Sequence, residues 1–95
     1  MTKRGAEQFL EALYQVTMLL DGDGADKHGD AWRQRDDAVD IRAALRHIGR
    51  GGSREDEGFN SYINAAARCL ILAQKKLEIE RQKERQDEST KPRAV

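Results

Sequence analysis

The stretch FNSYINAAARCLILAQKKL, Phe59 to Leu77, decides the fold class. Phe59, Ile63, Ala66, Leu70, Ala73 and Leu77 recur at alternating steps of four and three, which puts them on one face of an α-helix. Such a seam packs at a shallow angle on a neighbouring helix. Ala65-Ala66-Ala67 lets a second backbone approach closely. Ile71 and Leu72 fall off this seam and call for a second apolar contact. Arg68 stands among alanines and Cys69 in an otherwise apolar part of the helix, where a guanidinium needs a partner charge or a ligand.

Upstream, Phe9, Leu13, Val16 and Leu20 form a helical stripe, flanked by a second one of Leu10, Tyr14 and Thr17. They predict a helix from Gly5 to Leu20, ended by Asp21-Gly22-Asp23-Gly24. A second helix is expected from Ala31 to Ile48, with Asp30 as its N-cap and Ala38, Ile41, Leu45 and Ile48 as its core stripe. Gly49 stops it, and Arg50 to Gly58 reads as a loop. From Glu80 the chain has no apolar anchor, and Pro92 forbids helix near the end. The expected organisation is one helical domain over 1–88 and a disordered tail over 89–95. The fold class is all-α: a three-helix protomer with long antiparallel helices, assembling into a compact homo-oligomer. Leu19, Leu20, Ile71 and Leu72 are the expected surplus apolar surface, worth about 1.5–3 kcal/mol each when buried.

Composition narrows the function classes. In 95 residues, 36% are charged, and 17 basic side chains balance 17 acidic ones. Nucleic-acid polymers are bound by a basic excess that this chain lacks. No window is long and apolar enough to cross a bilayer. Met1-Thr2-Lys3-Arg4-Gly5 does not open a signal peptide, so a cytoplasmic setting is expected. A single cysteine, Cys69, makes no intrachain disulfide and is expected to be a buried structural thiol.

Chemistry-bearing patterns are few. Asp21, Asp23 and Asp26 suggest a calcium loop, but Ala25, Asp26 and Trp32 occupy the fifth, sixth and twelfth positions, where an EF-hand needs a ligand, a glycine and a glutamate. His28 and His47 lack a second ligand at zinc spacing. Asp36, Asp37 and Asp40 share a helix face and would hold magnesium only with further carboxylates, such as Glu7 or Glu11. Pairing with Arg33, Arg35 and Arg42 is the simpler expectation. No metal, cofactor or catalytic residue is therefore expected. What remains are groups suited to bases and phosphates: Lys27 near a helix N-terminus, Trp32 one turn on, Tyr14 at the rim of the first helix, Arg68, and the stripe Arg42, Arg46 and Arg50.

Lys27-His28-Gly29-Asp30-Ala31-Trp32, then Ala43-Ala44-Leu45-Arg46-His47-Ile48, then Gly58 to Leu72 resemble two sets of small phage proteins. One is the phage dATP/dGTP diphosphohydrolases, which share a Lys-x-Gly-x-x-Trp and Leu-Arg-His pattern. The other is the phage anti-CBASS cyclic-oligonucleotide sponges, all-helical hexamers that sequester the cyclic nucleotides of a bacterial defence. The resemblance covers about residues 6 to 77. Asn60-Ser61-Tyr62-Ile63-Asn64 stands where the hydrolases tend to carry histidines, which favours binding over hydrolysis. The resemblance to the sponges implies that Tyr14 stacks on the bases of cyclic dinucleotides and Lys27 contacts their phosphates. It implies that Arg68 holds cyclic trinucleotides at a separate site. The expected ligand-binding set is Tyr14, Lys27, His28, Trp32 and Arg68. The partners are cyclic di- and trinucleotides and further copies of the chain, with a magnesium-dependent nucleotide pyrophosphohydrolase as the alternative.

Overall fold

In the computed structural model, residues 5–22, 31–56 and 58–90 are described, with side chains to residue 86. They form a 3-10 turn over Gly5–Phe9, helix α1 over Leu10–Asp21, a 3-10 turn over Ala31–Arg33, helix α2 over Asp37–Gly49, and helix α3 over Ser61–Thr90. The all-α class holds. Among the described residues, no helix is long and apolar enough to cross a membrane.

Helix α3 is the common partner: α2 packs on it most extensively and α1 less so. Its 30 residues span about 45 Å at 1.5 Å per residue. Val16 and Leu19 of α1 meet Ile63 and Ala67 of α3, with Leu20, Phe59 and Ala66 packed around them. Against α2 the buried groups are small or polar: Asp40, Ala43 and Ala44 on one side, Ser61, Asn64 and Ala65 on the other. Close backbone approach through alanines, and a buried carboxylate, take the place of a large apolar seam.

Helix boundaries differ from expectation in instructive ways. The first α-helix is preceded by a full 3-10 turn at Gly5–Phe9. The second begins at Asp37, not Ala31, because Asp36 is extended (φ −58°, ψ 133°) and its carboxylate accepts from the Ala38 amide at 2.9 Å. That is a side-chain N-cap, and Ala31–Arg33 is left as a separate 3-10 turn. Asp30 lies outside the described residues. At the other end α3 continues to Thr90, two residues into the expected tail.

The core faces also shift. Ile41, Leu45 and Ile48, the expected stripe of α2, are 47%, 62% and 49% exposed. The buried stripe is Asp40, Ala43 and Ala44, since Asp40 has to reach Arg68. On α3, Leu70 and Leu77 of the expected seam are exposed, whereas Ile71 is buried. Cys69 is exposed, which corrects its expected burial: Ala67 and Ile71, one turn apart, face inward, and Cys69, half a turn from each, faces out. Leu19 and Ile71 are consumed inside the chain's own core, so the surplus apolar surface is not where the sequence placed it. It lies on Phe9, Leu10 and Leu13 of the first segment, on Val39, Ile41, Leu45 and Ile48 of α2, and on Leu70, Leu77 and Ile79 of α3.

The radius of gyration is 17.3 Å, against about 12 Å for a compact domain of this length. The accessible surface is 7711 Å², against about 5,500 Å² for a compact monomer of this mass.

Candidate functional site

The segment from Arg50 to Asn60 is tightly stitched. The Ser61 amide donates to Ser53 O at 2.9 Å and the Glu55 amide to Phe59 O at 2.9 Å, which brackets an isolated antiparallel bridge between Arg54 and Asn60. The Gly58 amide closes the turn on Glu55 O at 2.8 Å. The Gly52 amide donates to Ser61 Oγ at 2.7 Å. Gly52 has φ +88°, and a Cβ there would lie 2.8 Å from Tyr62 Cε2, so both backbone and space require glycine.

Glu55 fastens this segment to both helices. Its carboxylate, 6% exposed, accepts from His47 Nδ1 at 2.6 and 2.9 Å, from Asn64 Nδ2 at 3.2 Å, and from Arg50 Nη1. Asn60 Oδ1 accepts from the Ile63 amide at 2.9 Å and caps the start of α3.

Between α1 and this segment lies an open groove of about 650 Å³. Glu11, Tyr14 and Met18 form one wall; Arg54, Phe59 and Asn60 belong to the other. Tyr14 is 66% exposed, so its ring face is free to receive a flat ligand.

Two other expected site residues, Arg68 and Trp32, lie elsewhere. Arg68 is engaged between α2 and α3: its Nη1 donates to Asp40 Oδ1 at 2.8 Å. Arg35 grips the same carboxylate with Nη2 at 2.6 Å and Nε at 3.1 Å. Asp40 is fully buried, which raises its pKa, but the hydrogen bonds and charges of Arg35 and Arg68 outweigh this and hold it below the usual carboxylate range. Trp32 is half-buried in its 3-10 turn, with the Arg33 guanidinium 4.3 Å from its ring centroid and Arg33 Nε 3.4 Å from Glu78 Oε1 on α3. Lys27 and His28 lie outside the described residues. Tyr14, Trp32 and Arg68 are thus in three settings: a groove on α1, a turn beside the distal half of α3, and the interface of α2 with α3.

The three aspartates of the alternative reading are already occupied. Asp36 caps α2, Asp37 receives Lys75 Nζ, and Asp40 is held by two arginines. Among the described residues, no three of His, Cys, Asp and Glu converge as a metal site would need. Arg42 and Arg46 are exposed, and Arg50 is drawn to Glu55.

Sequence reasoning missed Arg54, Glu55 and Phe59. A glutamate beside an arginine in a glycine-rich loop reads as solvated, and nothing local signals that the loop folds back onto His47 and Asn64. No protein-family model, curated protein or solved structure matches this chain.

Proposed function

We propose that this chain is a non-catalytic binding protein that self-associates and sequesters cyclic di- and trinucleotides, acting as a phage anti-defence sponge in the host bacterial cytoplasm. The observation that carries the binding reading is Tyr14: an exposed ring on a groove of about 650 Å³, whose other wall adds Phe59 and Arg54. Small-molecule sites have volumes of about 300–1,000 Å³, and aromatic rings with cations are the usual partners of bases and phosphates. The choice of cyclic oligonucleotides within that chemistry comes from the resemblance to the sponges. The occupied carboxylates of Asp36, Asp37 and Asp40 favour binding over a metal-dependent hydrolase.

Self-association is supported by the surplus surface. Ile41, Leu45 and Ile48 line up on α2 at helical spacing and are exposed rather than part of the core formed by the described residues. Their exposure on so small a chain marks an interaction face, and another copy of the chain supplies an equally apolar surface.

The test is native mass spectrometry of the protein with and without 3′,3′-cyclic GMP–AMP, followed by denaturation and recovery of the ligand. A retained ligand released intact supports the sponge. Conversion of the ligand supports the enzyme, and no retention supports an adaptor without a small ligand. Tyr14→Ala should weaken retention, since losing a stacked aromatic costs about 1–3 kcal/mol per base.

A further inference from the structure

Arg54 differs from the other arginines near the helix contacts. Arg35 and Arg68 share Asp40, and Arg50 is drawn to Glu55. Arg54 forms no ion pair among the described residues, yet it borders the groove that Tyr14 lines. Arg42 and Arg46 are exposed without bordering it; a groove beside Arg81 and Arg85 has no aromatic ring in its lining, and another, which Arg54 borders from its other side, is lined by the carboxylates of Glu55 and Asp56.

The backbone explains why Arg54 is there. The bonds from Ser61 to Ser53 and from Glu55 to Phe59 flank the pairing of Arg54 with Asn60, which makes these two a non-hydrogen-bonded antiparallel pair. Side chains of such a pair lie close together on one face, and both border the groove. The next residue, Glu55, leaves on the opposite face, where its carboxylate meets His47, Arg50 and Asn64. One side of the bridged segment is anchored and the other presents Arg54. Because the anchor spans the end of α2 and the first turn of α3, Arg54 is held at the border of the groove that α1 also lines, without an ion-pair partner among the described residues.

We propose that Arg54 is the phosphate-contacting group of this groove and that Glu55 is the residue that positions it. The ligand class is a phosphate ester carried on a flat base, with the base against Tyr14 and Phe59 and the phosphate on Arg54. Glu11 offers an acceptor to base amino groups or ribose hydroxyls. This inference rests on the placement of the ligand beside Tyr14 proposed above.

The experiment measures calorimetric binding of AMP, adenosine and 3′,3′-cyclic GMP–AMP to the full chain and to Arg54→Ala, Arg54→Lys and Glu55→Gln. The wild type should bind AMP more tightly than adenosine. Arg54→Ala should remove that preference, weakening AMP about tenfold or more and leaving adenosine unchanged, as expected for a lost charged hydrogen bond. Arg54→Lys should restore part of it. Glu55→Gln should shrink the preference while adenosine binding is retained, a split that general loss of structure would not produce. A preference for AMP that persists in Arg54→Ala overturns the assignment of Arg54, as does a wild type that binds AMP no better than adenosine. A Glu55→Gln variant that keeps the full preference overturns the positioning role. If the Arg54-dependent preference is present but the cyclic dinucleotide binds no more tightly than AMP, the phosphate site stands and the sponge reading fails.

Discussion

Replacing Asp40 with alanine removes the acceptor of three charged hydrogen bonds at once. Arg35 Nη2, Arg35 Nε and Arg68 Nη1 lie 2.6, 3.1 and 2.8 Å from its oxygens. The Asp40 side chain is fully buried, and the two arginine side chains are 18% and 19% exposed. Breaking a buried pair by removing one partner costs about 3–5 kcal/mol, because the remaining charge is left in the interior. A domain of this length has roughly 5–14 kcal/mol of stability in total, so the loss is a large part of it. At about 4–8 °C per kcal/mol, the melting temperature should fall by at least about 12 °C. The assay is thermal and urea unfolding at one fixed protein concentration. Asp40→Asn should be milder, since one acceptor oxygen survives. Replacing Asp40, Arg35 and Arg68 together by apolar residues of similar volume should restore most of the stability, because desolvation of the charges is then removed as well. The pH dependence carries the same signature. The Asp40 pKa is lowered in the folded state, so its contribution is complete above the unfolded value of about 3.9 and is lost as pH falls through the lower folded value. The acid limb of the wild-type stability profile should therefore be steeper than that of Asp40→Asn. If Asp40→Ala costs less than about 1 kcal/mol, or if the two acid limbs coincide, the triad does not hold α2 to α3, and the account of this interface is wrong.

Other consequences follow from the same architecture. Gly52→Ala should destabilise by about 1–3 kcal/mol in chemical denaturation, since it combines a positive φ with a collision against the Tyr62 ring. Leu45→Glu with Ile48→Glu should dissociate the proposed oligomer in sedimentation velocity without reducing helical circular dichroism, because neither side chain is buried in the protomer; a wild-type chain sedimenting as a monomer at micromolar concentration would remove the basis for self-association. Arg68→Ala should lower the melting temperature as well as any trinucleotide affinity, so a loss of binding with unchanged stability would show that the guanidinium is not committed to Asp40. Deleting residues 89–95 should leave folding and ligand binding intact, with the melting temperature as the check.

The sequence by itself determined that this chain is helical and where α1 and α2 end, because apolar spacing and glycine stops act within a few residues of chain. It also singled out Tyr14 as a rim residue and Arg68 as one that needs a partner, since an exposed ring and a guanidinium among alanines are conspicuous in one dimension. The tertiary structure alone decided which face of each helix is buried. Ile41, Leu45 and Ile48 satisfy the periodicity of a core stripe as well as any residues in α2, yet the face actually covered is the one that brings Asp40 to Arg68 and two alanines against α3. It alone decided that Asp36 caps α2 through its carboxylate, and that Glu55 joins His47 and Asn64 across an intervening loop. Those outcomes depend on groups distant in sequence. Hydrophobic periodicity records which surfaces are apolar, whereas burial is settled by which partner is near enough to satisfy a charge.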